Sequence, residues 1–448
     1  MLTCGGVRAG AAQRGLARLL VVAAPTFVWL GLCAGARANP AEVFGMGSRS
    51  AGLAGAVAAR VDDFSAAYYN PAGLAFAPDG AWFGIQGATS RLHANQSTLP
   101  IQEPIGIVAG ITAPAPLHGP LENRVRIGIG LYMLPSTWAR VLAHLPDEPF
   151  FPYYDNRTQR LVVLPMVAAR ISDNVAVGVG FNVLAGLAGQ VVVMDGPTRS
   201  LAPRLDEEIP PRLAFNVGGR LTVDPHHSFA IAFRQTFSIP FTTVADTQVA
   251  GSQIAIDLAA EGLYSPDQLV FGYAYRDGGL VFSADLTGSR WAGYPGPYVK
   301  VTSDLPFVGA LASQPPDVPW RNTLGVRLGL ENDFGGTILR GGYGFETSPV
   351  PPDQAGVTNL LDGPKHLFAL GFGFVIDDVK IDAHVQVQIV GSRTLRKTVS
   401  SSVDAPAFDA LHDEDPKTPG VQVSNPGYPS LDSGGQVFSG GLTVEFPL

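Results

Sequence analysis

The sequence predicts an all-β fold: an antiparallel transmembrane β-barrel of about fourteen strands, with an N-terminal, partly helical hatch plugging its lumen. Three observations predict it. Apolar and polar residues alternate with period two in about fourteen segments of membrane-crossing length. The connectors between those segments alternate between tight turns and long loops. After the first 40 residues no apolar run approaches the ~20 residues a membrane helix needs, so any crossing is made by strands.

Composition agrees. Charged residues are 15% of the 448, against 53 glycines and 37 prolines, and mean hydropathy is +0.18. That balance is unusual for a soluble enzyme, so something other than water faces part of the chain. A net charge of −8 argues against a nucleic-acid partner, which calls for a clustered basic face.

Residues 1–38 read as a signal peptide. Arg8, Arg14 and Arg18 precede an apolar run from Leu19 to Leu32, and Ala36-Arg37-Ala38 fits a signal-peptidase site, so the exported chain is expected to start at Asn39. Cys33 follows Leu32, a poor fit to a lipoprotein site, and reads as an ordinary residue of the apolar run. Cys4 and Cys33 are the only cysteines, so the exported chain is expected to have no disulfide and no thiol chemistry.

Residues 39–80 do not read as a barrel strand and can fill the lumen as a plug. They are rich in Gly and Ala, with helical stretches expected over Ser50 to Arg60 and Asp63 to Tyr69, the second stopped by Asn70-Pro71 because proline disfavours helix in the residue before it.

Residues 81–448 read as the barrel. Its strands are expected at Trp82–Leu92, Pro104–Ala113, Arg124–Leu134, Arg160–Ile171, Asn174–Leu187, Arg212–Val223, Ser228–Phe237, Asp267–Tyr275, Leu280–Trp291, Asn322–Glu331, Thr337–Phe345, His366–Ile376, Val379–Val390 and Gln436–Phe446. From Val379 to Ile389 the odd positions are apolar, and the even ones are Lys380, Asp382, His384, Gln386 and Gln388. In the run before it Phe368, Leu370, Phe372 and Phe374 share one face, and Ala369, Gly371 and Gly373 the other, leaving room inside for a plug or ligand. Ser172-Asp173, Asp224-Pro225 and Asp377-Asp378 are tight turns, whereas Pro135 to Gln159, Ser238 to Pro266 and Ala292 to Arg321 are long loops, as outer-membrane barrels have on their two sides. Pro114 to Asn123 is long for a turn on the short side. The chain ends in an alternating Leu442 to Phe446 that carries Phe near the end as barrels do, so the barrel assembly machinery is an expected partner, although Leu448 stands where a terminal aromatic is usual.

The stretch Gly45-Met46-Gly47-Ser48-Arg49-Ser50-Ala51-Gly52-Leu53-Ala54-Gly55-Ala56, followed by Asp62-Asp63-Phe64-Ser65-Ala66-Ala67-Tyr68-Tyr69-Asn70-Pro71-Ala72-Gly73-Leu74, resembles the hatch of the FadL/TodX family of outer-membrane transport proteins. The resemblance continues in Ser265-Pro266-Asp267, in Leu339-Arg340-Gly341-Gly342-Tyr343 and in Leu370-Gly371-Phe372-Gly373-Phe374. It implies a fourteen-stranded barrel in the outer membrane of a Gram-negative bacterium, in contact with its lipid and lipopolysaccharide. Long-chain fatty acids or other hydrophobic compounds would be caught by outer loops, held in the lumen, and released sideways through a gap beside a kinked strand as the hatch rearranges. Asn70, Pro71 and Ala72 match the family's Asn-Pro-Ala motif and would form the hatch element near the exit.

Two further groups of residues carry open alternatives. Phe150, Phe151, Tyr153 and Tyr154 form either a greasy capture site in the loop that also holds Leu142 and Leu145, or part of an aromatic girdle at the lipid interface. The inward charges Asp285, Arg327, Arg340, Lys380 and Asp382 either hold a ligand headgroup or form salt bridges between wall and hatch. His226-His227 has no third ligand at metal spacing and reads as a solvated turn. No cofactor, metal or nucleophile motif is present, so no enzyme is expected. A general porin or an adhesive surface barrel is the alternative, disfavoured by the 40 or so residues available to fill the lumen before the first strand.

Overall fold

The computed structural model describes residues 40–99, 105–133, 149–155, 161–184, 187–191, 194–195, 201–202, 205–209, 212–249, 252–298, 300–305, 309–312, 317–352, 354, 358–396 and 430–448. The expected signal segment, Leu142 and Leu145 lie outside these residues. Fourteen strands make the wall: β1 (Gly80–Ala94), β2 (Ile105–Pro114), β3 (Val125–Met133), β4 (Val162–Arg170), β5 (Val175–Leu184), β6 (Arg212–Thr222), β7 (His227–Arg234), β8 (Asp267–Asp277), β9 (Leu280–Arg290), β10 (Thr323–Asp333), β11 (Thr337–Glu346), β12 (Lys365–Ile376), β13 (Val379–Arg396) and β14 (Ser430–Pro447). Each pairs antiparallel with its neighbours in chain order. β1 pairs with β14 from Gly80↔Pro447 to Ala94↔Ser433 and with β2 from Gly80↔Thr112 to Gly87↔Ile105, so the sheet closes and no long edge is left.

The period of two sets which side chains face out. On β12, Phe368, Leu370, Phe372 and Phe374 are about half exposed on the outer face, while Ala369 is buried inside. On β13, Asp382, His384, Gln386 and Gln388 are buried on the inner face. Phe83, Ile85, Leu213, Phe271 and Val385 continue the exposed apolar belt around the wall. A belt of that extent would be costly in water and is what lipid requires. At the turn between β12 and β13 Asp377 has φ 52°, a left-handed conformation that a short polar side chain tolerates.

Residues 42–77 lie inside the barrel, almost all of them buried. They form helices α1 (Pro40–Phe44), α2 (Ser48–Ala51) and α3 (Ala66–Tyr69) and a 3-10 helix, Pro71–Phe76. The helix expected over Ser50 to Arg60 is thus cut to its first residues. Ala54 and Gly55 take left-handed φ values of 53° and 76°, and the wall presses in at Gly371, whose Cα lies 2.8 Å from where a Cβ of Gly52 would stand. Packing against the wall overrides helix propensity here.

The long connector Ser238 to Pro266 has structure of its own: Phe237–Val249 and Ser252–Ser265 form a hairpin that prolongs β7 and β8 and joins Lys300–Leu305 and Gly309–Ala312 in a separate four-stranded sheet. One other expectation is corrected. The last strand starts at Ser430, not Gln436.

Candidate functional site

The plug meets the wall in three layers, two of polar contacts and one of aromatic rings. At the end of the tight turns, Glu331 on β10 is the hub. It accepts a hydrogen bond from Arg340 Nε at 2.5 Å and one from Arg60 Nη2 of the plug, and Arg49 Nε of the plug lies 3.7 Å away. Arg340 also gives Nη1 to Asp382 at 2.6 Å, and Lys380 stands 3.7 Å from Asp382 and 3.9 Å from Glu445. Arg49 pairs in turn with Asp62. Of the five inward charges read from the sequence, Arg340, Lys380 and Asp382 therefore belong to this ionic clamp. Glu331 was passed over as a site residue, although it stands four residues from Arg327 on the same inward face.

Asp285 and Arg327 sit opposite each other in register on β9 and β10, one layer up. Asp285 Oδ2 accepts both Val57 N and Ala58 N of the plug at 2.9 Å, so it is a wall-to-plug contact as well. Arg327 has no carboxylate within ion-pair distance among the described residues and lines a small cavity with Tyr153, Glu346 and Lys365. An Asp285→Ala change would leave two buried amides unpaired at about 1–3 kcal/mol each. The Val57 and Ala58 amides are then expected to exchange with deuterium faster than in the parent barrel, while amides of β12 and β13 keep their rates.

The Asn70-Pro71-Ala72 turn lies in the same middle layer. Pro71 opens the 3-10 helix, where its fixed φ and missing N–H cost nothing, and Asn70 caps it, its Oδ1 accepting Ala72 N at 3.1 Å. Asn70 Nδ2 donates to Ala58 O at 2.8 Å inside the plug and to Gly219 O of β6 at 3.3 Å. The wall behind this turn is glycine: a Cβ on Gly218 would stand 1.9 Å from Asn70 Oδ1, and one on Gly178 2.3 Å from the carbonyl carbon of Pro71. The turn is thus seated directly against β5 and β6.

At the loop end Phe150, Phe151, Tyr153 and Tyr154 are all buried, at 4% exposure or less. They lie inside the barrel mouth, neither on the outer belt nor facing solvent. Phe150 pairs with Leu360, Tyr154 OH donates to Gln388 Oε1 at 3.0 Å, and Lys365 Nζ sits 4.2 Å over the Tyr153 ring. These rings form one apolar cluster with Val43 and Phe44 of the plug and with Tyr264, Trp291, Tyr294 and Trp320 of the wall and loops. The girdle alternative is therefore set aside, because the rings do not reach the lipid face. Tyr264, Tyr294 and Trp320 went unread in the sequence, since scattered rings in loops show no period, and Trp291 was read as the end of a strand.

His384 is buried among the inward groups, and neither ring nitrogen has a partner among the described residues. His226 and His227 stand at the β6–β7 turn, where Nδ1 of His226 meets Arg276 O at 2.7 Å and Nδ1 of His227 meets Tyr273 OH at 2.9 Å. The amide of His226, with that of His227, hydrogen-bonds Asp224 and holds its carboxyl below the ordinary range. No group of three metal-ligating side chains occurs among the described residues.

A closed fourteen-strand wall, an apolar outer belt and a lumen filled by the chain's own N-terminal segment define a plugged transmembrane β-barrel. Its fold is that of the FadL and TodX channels. The chain is similar to a Pseudomonas aeruginosa FadL homologue at TM-score 0.57 and 14% identity, over 89% of this chain and 98% of that one. It is similar to the P. putida toluene transporter TodX at TM-score 0.52 and 12% identity, over 90% and 99%, and to the CymD monoaromatic hydrocarbon channel at 0.51 and 13%, over 90% and 98%. No protein-family model matches the chain, and no curated protein matches it in sequence.

Proposed function

We propose that the chain is a passive channel for hydrophobic compounds, long-chain fatty acids among them, in the outer membrane of a Gram-negative bacterium. The observation that carries this reading is the occupied lumen: aromatic rings fill the mouth, and the plug below is held by polar contacts. A general porin needs an open aqueous path, whereas a greasy molecule gains about 0.8 kcal/mol per buried CH₂ by replacing rings with its own chain. The solved structures of like fold include a toluene transporter and a monoaromatic hydrocarbon channel, which supports the substrate class. Phe150, Phe151, Tyr153 and Tyr154 receive the ligand at the mouth, Arg327 is an inward cation open to a headgroup, and the Asn70-Pro71-Ala72 turn rearranges so that the ligand leaves sideways into the bilayer.

The test is uptake of a labelled long-chain fatty acid by cells making the chain, beside a variant lacking residues 39–80 and beside a small polar solute. Fatty-acid uptake without polar leakage in the intact chain, with leakage after plug deletion, is the expected result. Free polar passage and no fatty-acid uptake by the intact chain would establish the porin alternative.

A further inference from the structure

One rung of the wall carries two arginines that the ionic clamp does not use. Arg170 of β4 pairs with Ala176 of β5, and Ala176 with Arg220 of β6, so the three residues share a rung near the tight-turn end of the barrel. Their side chains are on the inner face. Met166 and Ala168, which alternate with Arg170 on one side of β4, are buried in the cluster that holds the plug, and Gly218, two residues before Arg220, faces Asn70. Strands lie about 4.8 Å apart, so the arginines flank a gap that the methyl of Ala176 leaves open.

Phe76, the last residue of the 3-10 helix, reaches this rung. Arg220 Cζ stands 4.3 Å and Arg170 Cζ 5.1 Å from the centroid of its ring, so both guanidiniums gather on one aromatic side chain. Arg170 Nη2 also donates to Ala75 O of the plug at 2.8 Å.

Two cations drawn to one ring repel each other, and neither is neutralised. Among the described residues no carboxylate lies within ion-pair distance of Arg170 or Arg220, whereas Arg126 on β3 pairs with Asp79. The charged neighbours of Arg220 include Asp62, Arg276, Arg60 and Arg49, and Asp62 is already held by Arg49. Hydrogen bonding leaves the same deficit. The Arg220 side chain donates to no group among the described residues; its Nε and Nη1 are buried, as is the unpartnered Nε of Arg170. The contact with Phe76 offsets part of the cost of burying a guanidinium, but buried donors of a charged group call for acceptors.

The acceptor that fits must carry negative charge and several oxygens. A phosphate group can take a planar fork from one arginine and still reach the other, whereas a hydroxyl or amide would leave both charges in place. A fatty-acid chain has no room here, because Leu74, Ala75 and the rest of the plug core already fill the lumen behind the rung. The approach is from the tight turns, where Ser172, Asp173 and Asn174 are exposed.

We propose that Arg170 and Arg220, which share the Phe76 ring, form an oxyanion site at the foot of the plug that takes a phosphate group from the periplasmic side. Its occupancy pins Phe76, and with it the Pro71–Phe76 helix, to β4 and β6. The site is separate from the aromatic mouth and from Arg327, and it does not depend on what the channel carries. Free phosphate and the headgroup of a phospholipid both supply that chemistry.

The experiment dialyses the purified barrel, in nonionic detergent at low salt, against labelled inorganic phosphate, with the folded fraction read from heat-modified gel mobility. One saturable site per barrel is expected. Arg220→Gln and Arg170→Gln should each weaken binding about tenfold or more, the worth of one charge-assisted hydrogen bond. Either variant decides the point if the other fails to fold. Arg290→Gln, which removes an exposed arginine far along the wall, should leave binding unchanged. No saturable binding by the parent, or equal weakening by Arg290→Gln, overturns the site. Phosphate should also slow trypsin cleavage after Arg49 and Arg60 severalfold in the parent, relative to chloride of equal ionic strength, and not in Arg220→Gln. Binding that leaves cleavage unchanged overturns the pinning. Transfer of the parent into phosphatidylglycerol vesicles separates the two sources: displacement of the labelled phosphate assigns the site to a lipid headgroup, and retention assigns it to free phosphate.

Discussion

Replacing Glu331 with alanine loosens the plug from the wall by about 3–5 kcal/mol, the cost of breaking a buried ion pair from one side. The reason lies in what each arginine has left. Arg340 retains Asp382 at 2.6 Å and Arg49 retains Asp62, but Arg60, only 2% exposed, has its one ion pair with Glu331 among the described residues. An uncompensated guanidinium inside the lumen is relieved by moving the plug. The change is therefore expected to raise leakage of a small polar solute and to open the chain to trypsin after Arg49 and Arg60, with the barrel itself still heat-modifiable. Arg290→Gln is the control: its partner Asp267 is 3.6 Å away and the arginine side chain is 71% exposed, so the pair is worth at most about 1 kcal/mol. A Glu331→Ala barrel as tight to polar solute and trypsin as its parent would show that the clamp does not hold the plug.

Gly218→Ala is expected to unseat the Asn70-Pro71-Ala72 turn. The added methyl would stand 1.9 Å from Asn70 Oδ1, and an alanine at Gly178 would meet the Pro71 backbone at 2.3 Å. The Pro71 backbone cannot swing aside, and the Asn70 amide is fixed by its hydrogen bonds to Ala58, Gly219 and Ala72, so overpacking on the order of 1–3 kcal/mol follows at each position. Gly341→Ala, on the outer face with nothing within 4 Å of its Cβ position, should be neutral. The thermal midpoints of the three purified variants decide the matter. Gly218→Ala and Gly178→Ala should melt below Gly341→Ala and below the parent, and coincident melting of all four would refute the close seating.

Most of the wall was legible because a membrane strand must alternate: lipid demands apolar side chains on one face whatever the neighbours are, so Val379 to Ile389 announces itself without knowledge of the strands beside it. The tight turns were legible for a similar local reason. Helix in the plug was misplaced because a Gly/Ala-rich segment has weak preferences of its own and takes its shape from the wall around it, as at Gly52 against Gly371.

Local residues alone thus determined the class of this protein: the strand count, the direction of each side chain, the even closure and the presence of a segment able to fill the lumen. Which charges clamp the plug and which rings close the mouth were decided only in three dimensions. Glu331 meets Arg60 across 271 positions of sequence and Asp285 meets Val57 across 228. Periodicity records the solvent each residue faces, and carries no record of the partner that a closed sheet brings opposite it.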